Sequence, residues 1–296
     1  MTQLDRRAFL NQATAVAAGA GLALDRLALS ARGNLKGEGV QFGLVTYLWG
    51  EHLKLPELIR TCEESGVLGV EVRTQHAHGV EPSLSKAERH EVRQRFADSP
   101  VTLVGYGSNA QFHEDDLAKV QQNIELTKQY IHLMHDCGGT GVKVKPNGFV
   151  PGVPQEKTIE QIGKALNEVA AYGAGYGQQI RVETHGRGTS EIPVVKAIFD
   201  QADHPNVAVC WNSNDVDLEG EGFLHNFNLV KDRFGDTVHV RELNIGEYPY
   251  AQLMKLLVNM DYVGWILLEA RTAPPDKVAA LIEQREVFEQ MAGRKQ

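Results

Sequence analysis

Eight times between residues 40 and 291, a short run rich in β-branched residues is followed by a longer stretch with helical spacing, and this alternation constrains the fold more than any other property of the chain. The strand-like runs are 40–47, 69–73, 101–105, 141–145, 179–183, 207–211, 237–241 and 264–268. The helical stretches are 55–65, 86–97, 115–137, 156–176, 192–201, 224–234, 250–260 and 276–291. Gly66, Gly138-Gly139 and the turn at His204-Pro205 stand ahead of strands, where the preceding helix must stop. Eight such units over roughly 250 residues, without a linker or low-complexity break, predict an α/β fold, a single (β/α)8 TIM barrel, over residues 38–292. A doubly wound sheet would need fewer strands or an edge.

A barrel imposes a parity on each strand, because alternate residues face the lumen and the others face the helices. In Val142-Lys143-Val144-Lys145 the valines belong against the helices, so both lysines point inward; Glu71 and Arg73 follow from Val70 and Val72. The same rule sends Glu183 and His185 inward, then Asn212, then His239 and Arg241, then Glu269 and Arg271. These residues lie at the carboxyl ends of their strands, where barrel enzymes assemble their sites.

Glu183, Asn212, His239 and Glu269 recur at intervals close to one βα repeat, which brings four oxygen or nitrogen donors to similar height on consecutive strands. Two carboxylates, an imidazole and an amide suit a divalent cation, and the donor types leave manganese, zinc, iron, cobalt and magnesium open. Abstraction of a proton beside a carbonyl needs a positioned base and a cation for the developing enediolate. Glu183 and Glu269 are therefore the acid/base candidates. Substrate contacts are expected from His185, Arg241, Lys145, Arg73, His78 and Trp49, with Ser108, His113 and Asn147 on neighbouring loops. The pattern His76-Ala77-His78 could also hold a second metal. Glu71 and Lys143 are expected to form a buried ion pair below the site. A competing arrangement has Arg181, Arg241 and Arg271 neutralising the glutamates without any metal.

The motifs Val182-Glu183-Thr184-His185-Gly186, Cys210-Trp211-Asn212, Val238-His239-Val240-Arg241-Glu242 and Leu267-Leu268-Glu269 together resemble the xylose-isomerase-like sugar isomerase/epimerase superfamily. The resemblance spans about residues 40 to 290. It implies a divalent metal, often manganese, held from strands five to eight, with two glutamates acting on opposite faces of a sugar carbon. Asn212 stands where the family pattern usually has aspartate, which removes one negative charge; Asp215 is the nearby carboxylate that could compensate.

The beginning of the chain reads as an export address. Arg6-Arg7 precede Phe9-Leu10 and a stretch from Ala8 to Leu24 that is rich in alanine and glycine and carries no charge, the pattern of a twin-arginine signal over residues 1–31. The stretch is too short to span a bilayer, and cleavage is expected near 28–31. This places the mature protein in the periplasm or outside the cell, delivered folded by the twin-arginine export machinery and without stable membrane insertion.

Lys and Arg total 30 against 38 Asp and Glu, with no dense basic stripe, so nucleic acid is excluded as an expected partner. The same deficit disfavours an abasic-site endonuclease built on this kind of barrel. Cys62, Cys137 and Cys210 show no zinc-binding or disulfide spacing and are expected as free thiols. The loops at 244–248 and 272–276 hold no glycine-rich phosphate cradle, which favours an unphosphorylated sugar, keto-sugar or polyol, with a sugar acid left open by the cations at the mouth. The leading expectation is a metal-dependent isomerase, epimerase or lyase. The alternative is a metal-free barrel that binds a sugar or a partner without turnover. A homo-oligomer is compatible with the sequence.

Overall fold

The computed structural model describes residues 39–294. The export signal assigned to 1–31, and position 38 of the expected barrel range, lie outside the described residues. Eight parallel strands alternate with eight helices: β1 Gln41–Val45, α1 Leu55–Ser65, β2 Gly69–Arg73, α2 Lys86–Ala97, β3 Thr102–Gln111, α3 Leu117–Cys137, β4 Gly141–Lys145, α4 Gln155–Ala174, β5 Gln179–Glu183, α5 Ile192–Gln201, β6 Val207–Cys210, α6 Phe223–Val230, β7 Thr237–Val240, α7 Tyr250–Asn259, β8 Trp265–Leu268 and α8 Lys277–Met291. The strand order is β6-β5-β4-β3-β2-β1-β8-β7, a nearly closed (β/α)8 barrel. No helix among the described residues is long and apolar enough to cross a membrane.

The local sequence accounts for the element ends. Ser85 caps α2 by accepting from the Glu88 amide while Glu88 reaches back to the Ser85 amide at 2.7 Å. Gly66 and Gly138 close α1 and α3 in the left-handed region, at φ of 69° and 92°. The valines of β2 and β4 are fully buried against the helices, and Cys62, Cys137 and Cys210 are free and buried.

Two departures from expectation matter for the site. Strand β3 continues to Gln111, six residues beyond the expected end at 105, because its Gly-Tyr-Gly-Ser-Asn segment pairs with β2 and β4 without an apolar alternation to betray it. A bulge sets Glu71 opposite Gly105 and leaves Val104 as the extra residue of β3. Val104 packs with Val45 and Leu267 in a small apolar cluster separate from the main core, partly covered by Trp265.

The amino end of the lumen is filled by two large side chains laid over glycines. A Cβ on Gly69 would sit 2.1 Å from the Trp265 ring, and one on Gly141 would sit 2.5 Å from the Arg181 guanidinium. Arg181 is saturated there by Gln179, the Val104 carbonyl, Thr140 and Asp236, at 2.8 to 3.3 Å. Between β6 and β7 there is no continuous ladder; the strands are joined through Gly235 N–H to Val209 O at 2.9 Å and His239 N–H to Trp211 O at 2.7 Å.

Candidate active site

Glu183 ends β5, His239 lies in β7 and Glu269 follows β8, and strand parity turns all three into the lumen. Each offers a ligand atom within 4.8 Å of the others, and all three side chains are buried. Both ring nitrogens of His239 are buried; Nε2 faces Glu71 at 3.2 Å, and neither nitrogen makes a well-aligned hydrogen bond. Two carboxylates and an imidazole converging in a buried site are the donor types that a divalent cation takes, so the donor set fits such an ion.

Each of the three has a companion from elsewhere in the lumen. The fully buried Lys143 ammonium contacts Glu183 Oε2, and Asn212 Nδ2 donates to Glu183 Oε1 at 3.0 Å. Glu71 Oε1 lies 3.2 Å from His239 Nε2, and Arg73 Nη1 donates to Glu269 Oε1 at 3.1 Å. Burial would push the Glu183 carboxyl up, yet Lys143 and Lys145 hold it far below the usual carboxylate range. Burial likewise opposes ionisation of Glu71, and His239, Lys143 and Arg181 more than offset it. Glu183 is thus held in the anionic form, the form that a cation would bind.

This pairing corrects two sequence expectations. Glu71 and Lys143 do not pair with each other: Lys143 contacts Glu183 and Glu71 faces His239. The competing arrangement, with Arg181, Arg241 and Arg271 neutralising Glu183 and Glu269, does not form: Arg181 is bonded at the amino end of the barrel, Arg271 is exposed, and Arg241 approaches Asp215 at 3.9 Å. Asp215 has a side chain 85% exposed and does not join the cluster. Asn212 is buried in place beside Glu183, with its amide nitrogen toward that carboxylate.

Around the mouth, Asn109 Oδ1 accepts from both Lys145 Nζ and Arg73 Nη2, each at 3.4 Å. Burial and the neighbouring Lys143 charge bring the Lys145 amine down to about 8. His185 Nδ1 lies 2.7 Å from Asn147 Oδ1, and Asn147 Nδ2 donates to Gln111 Oε1. Burial lowers the His185 proton affinity. Ser108 donates to the Lys143 carbonyl at 2.6 Å, a strand-bracing contact.

Trp49 and His78 are occupied differently from expectation. The Trp49 indole N–H donates to the Thr272 carbonyl at 3.0 Å, tying the loop after β1 to the loop after β8. His78 is buried, with Nε2 2.8 Å from the Arg73 carbonyl and Nδ1 accepting from the Val80 amide at 3.0 Å. Both its nitrogens therefore serve the backbone, and burial takes it down to about 4. His76 Nδ1 meets Thr46 Oγ1 at 3.2 Å, so the His76–His78 pair presents no second metal site.

Asn109 and Glu242 were missed by sequence reasoning. Asn109 lies on the unforeseen extension of β3. Glu242 has outward parity, yet its carboxylate turns across to β8 and accepts from Arg271 N–H at 2.9 Å, Thr272 N–H at 2.7 Å and Thr272 Oγ1 at 2.6 Å. Its placement in Val238-His239-Val240-Arg241-Glu242 was the only available signal.

The family described as xylose isomerase-like TIM barrel matches residues 59–291. None of the curated proteins matches the sequence. Among solved structures, an L-ribulose 3-epimerase aligns at 15% identity and a TM-score of 0.74, covering 86% of this chain and 95% of that one. D-allulose 3-epimerase from Methylomonas sp. aligns at 18% identity and 0.72, covering 86% and 98%. The IOLI protein with a bound zinc atom aligns at 13% identity and 0.71, again covering 86% and 98%. At these identities the likeness speaks for the fold.

Proposed function

The chain belongs to the xylose isomerase-like TIM barrel family, and from that premise we propose that it is a divalent-metal-dependent sugar or keto-sugar epimerase or isomerase. The observation that carries the reading is the buried convergence of the Glu183, His239 and Glu269 ligand atoms within 4.8 Å of one another. L-ribulose 3-epimerase and D-allulose 3-epimerase, which share the fold, are named for chemistry at a carbon beside a carbonyl. A solved neighbour also carries zinc.

Glu183, His239 and Glu269 would hold the metal, with Asn212 beside them; manganese is the leading ion, with zinc, iron, cobalt or magnesium as alternatives. When bound, such an ion supplies positive charge for oxygen atoms that become anionic as the proton leaves. Glu183 takes a proton from the carbon beside the carbonyl, and Glu269, oriented by Arg73 and entering the cycle protonated, returns one, so the two carboxyls exchange protonation states over a turnover. Transfer from opposite faces inverts the carbon, whereas return at the neighbouring carbon isomerises the sugar. His185, fixed by Asn147, and Arg241 border the substrate and orient its hydroxyls. We further propose export through the twin-arginine pathway, supported by the sequence of residues 4–31; cell fractionation with and without Arg6 and Arg7 tests it.

The central test is proton exchange in D2O followed by NMR on a panel of ketoses and keto-sugars, with metal content measured on the same samples. Wild-type protein is expected to carry about one ion per chain and to wash deuterium into one carbon position. Glu183→Gln and Glu269→Gln should each slow this by roughly two to four orders of magnitude. Full exchange in both variants would overturn the acid/base roles. Exchange in metal-stripped protein would overturn the metal dependence. A metal-free binding barrel, the alternative reading, would bind sugar without any exchange.

A further inference from the structure

Two cations at the barrel mouth converge on a neutral side chain. Arg73 gives Nη1 to Glu269 and lies over the Tyr47 ring at 4.9 Å, but its Nη2 hydrogen-bonds only the neutral Asn109 oxygen, at 3.4 Å, and its buried Nε has no hydrogen-bond partner. Lys145 reaches the same Asn109 oxygen at 3.4 Å, a weak contact for an ammonium. The nearby carboxylates have closer partners, Glu183 in Lys143 and Asn212, Glu269 in Arg73 and Glu71 in His239, and Lys145 acts on Glu183 only through space, without an ion-pair contact. Two cationic groups therefore aim at one spot, next to the reacting glutamates, with no anion between them.

The lumen charge count points the same way. Glu71, Glu183 and Glu269 are balanced by Lys143, Lys145 and Arg73 before any ion enters, because Asn212 contributes no charge. A divalent ion on Glu183, His239 and Glu269 would leave an excess of two positive charges in a buried site. A substrate that brings its own negative charge removes part of that excess.

The usual barrel seat for a phosphate is filled from within. In such barrels the backbone N–H groups after strands seven and eight commonly grip a phosphate. Here the Arg271 and Thr272 amides are taken by the Glu242 carboxylate, and the Leu243 amide by Gln284 Oε1 at 2.7 Å. The anion is thus directed to the β2–β4 side of the mouth, where planar guanidinium and ammonium donors suit a carboxylate.

We infer that Arg73, Lys145 and Asn109 form a carboxylate subsite and that the substrate is a sugar acid, such as a uronate or a keto-acid derived from one. This rests on the sugar-epimerase reading above and names its substrate class. The test is isothermal titration of the metal-loaded protein with matched probes differing only at C6: D-glucose, D-glucuronate and D-glucose 6-phosphate, and the corresponding galactose series. The expected result is at least tenfold tighter binding of one uronate than of its neutral sugar and its phosphate. Lys145→Met should abolish that difference and Lys145→Arg should retain it. Equal or weaker binding of both uronates overturns the subsite while leaving the epimerase reading intact. Tightest binding of a phosphate overturns the carboxylate assignment. A uronate preference that survives Lys145→Met also overturns it. Failure to bind any probe, together with no deuterium exchange into any ketose or keto-sugar, overturns the subsite and the epimerase reading together.

Discussion

The carboxylate of Glu71 lies 3.2 Å from His239 Nε2, and neither side chain is exposed to solvent. An anion against Nε2 favours a proton on that nitrogen, and a carboxylate held behind a histidine would fix the ring's orientation toward an ion. Glu71→Gln should weaken manganese or zinc binding by about 10- to 100-fold. Titration calorimetry on the variant checks this, and unchanged affinity would show that Glu71 does not orient the imidazole.

Lys143 supplies the charge that keeps Glu183 ionised in a site without solvent. Lys143→Met would strand that carboxylate, and breaking a buried pair from one side costs about 3–5 kcal/mol. The metal-free variant should therefore melt well below wild type. Added manganese or zinc should raise its melting temperature more than that of wild type, because a cation then returns to Glu183. Equal shifts in the two proteins would contradict this account.

Asp217 offers a pH test outside the cluster. Burial raises its carboxyl to about 7, although the Tyr248 hydroxyl and the Asn214 N–H both donate to Oδ2 at 2.7 Å. The unfolded chain loses this proton near 4, so the folded state holds more protons between pH 4 and 7, and stability falls as pH rises through that window. Asp217→Asn removes the dependence. Its melting temperature should gain on wild type from pH 4 to 7 and keep a constant lead above that; a gap independent of pH would refute the assignment.

Gly69→Ala tests the floor of the barrel. Its Cβ would meet Trp265 at 2.1 Å, a clash with a rigid indole packed over the Val45, Val104 and Leu267 cluster. Overpacking of this kind costs about 1–3 kcal/mol, which urea unfolding would register as a lower midpoint with an unchanged slope. Combination with Trp265→Phe should recover part of the loss.

Strand parity was legible in the sequence wherever β-branched residues alternate with polar ones. That alternation is enough to place Glu183, His239 and Glu269 on the lumen side at similar height. It failed at β3, whose glycines and small polar residues carry no period, and so Asn109 escaped notice. Partner choice was also beyond reach: Glu71 and Lys143 are both inward, but which ligand each one faces depends on barrel curvature and on the bulge at Val104. Arg271 follows parity only while the strand lasts; β8 ends at Leu268, and the chain beyond it is steered by Glu242 and exposes the arginine. His78 illustrates the remaining limit, since a histidine in a loop can satisfy its own backbone as readily as a substrate.

The interrupted ladder between β6 and β7 gives the barrel two lips. Asn212 extends from one and His239 from the other, with Glu183 and Glu269 one strand further back on each side. Local opening starts where backbone bonds are fewest, so amides along these lips should exchange with solvent sooner than those of β2 to β4. An ion gripped from both sides would act as a stitch across the cut. The rate at which the lips breathe then becomes a gauge of how fully the protein is loaded, readable without any substrate.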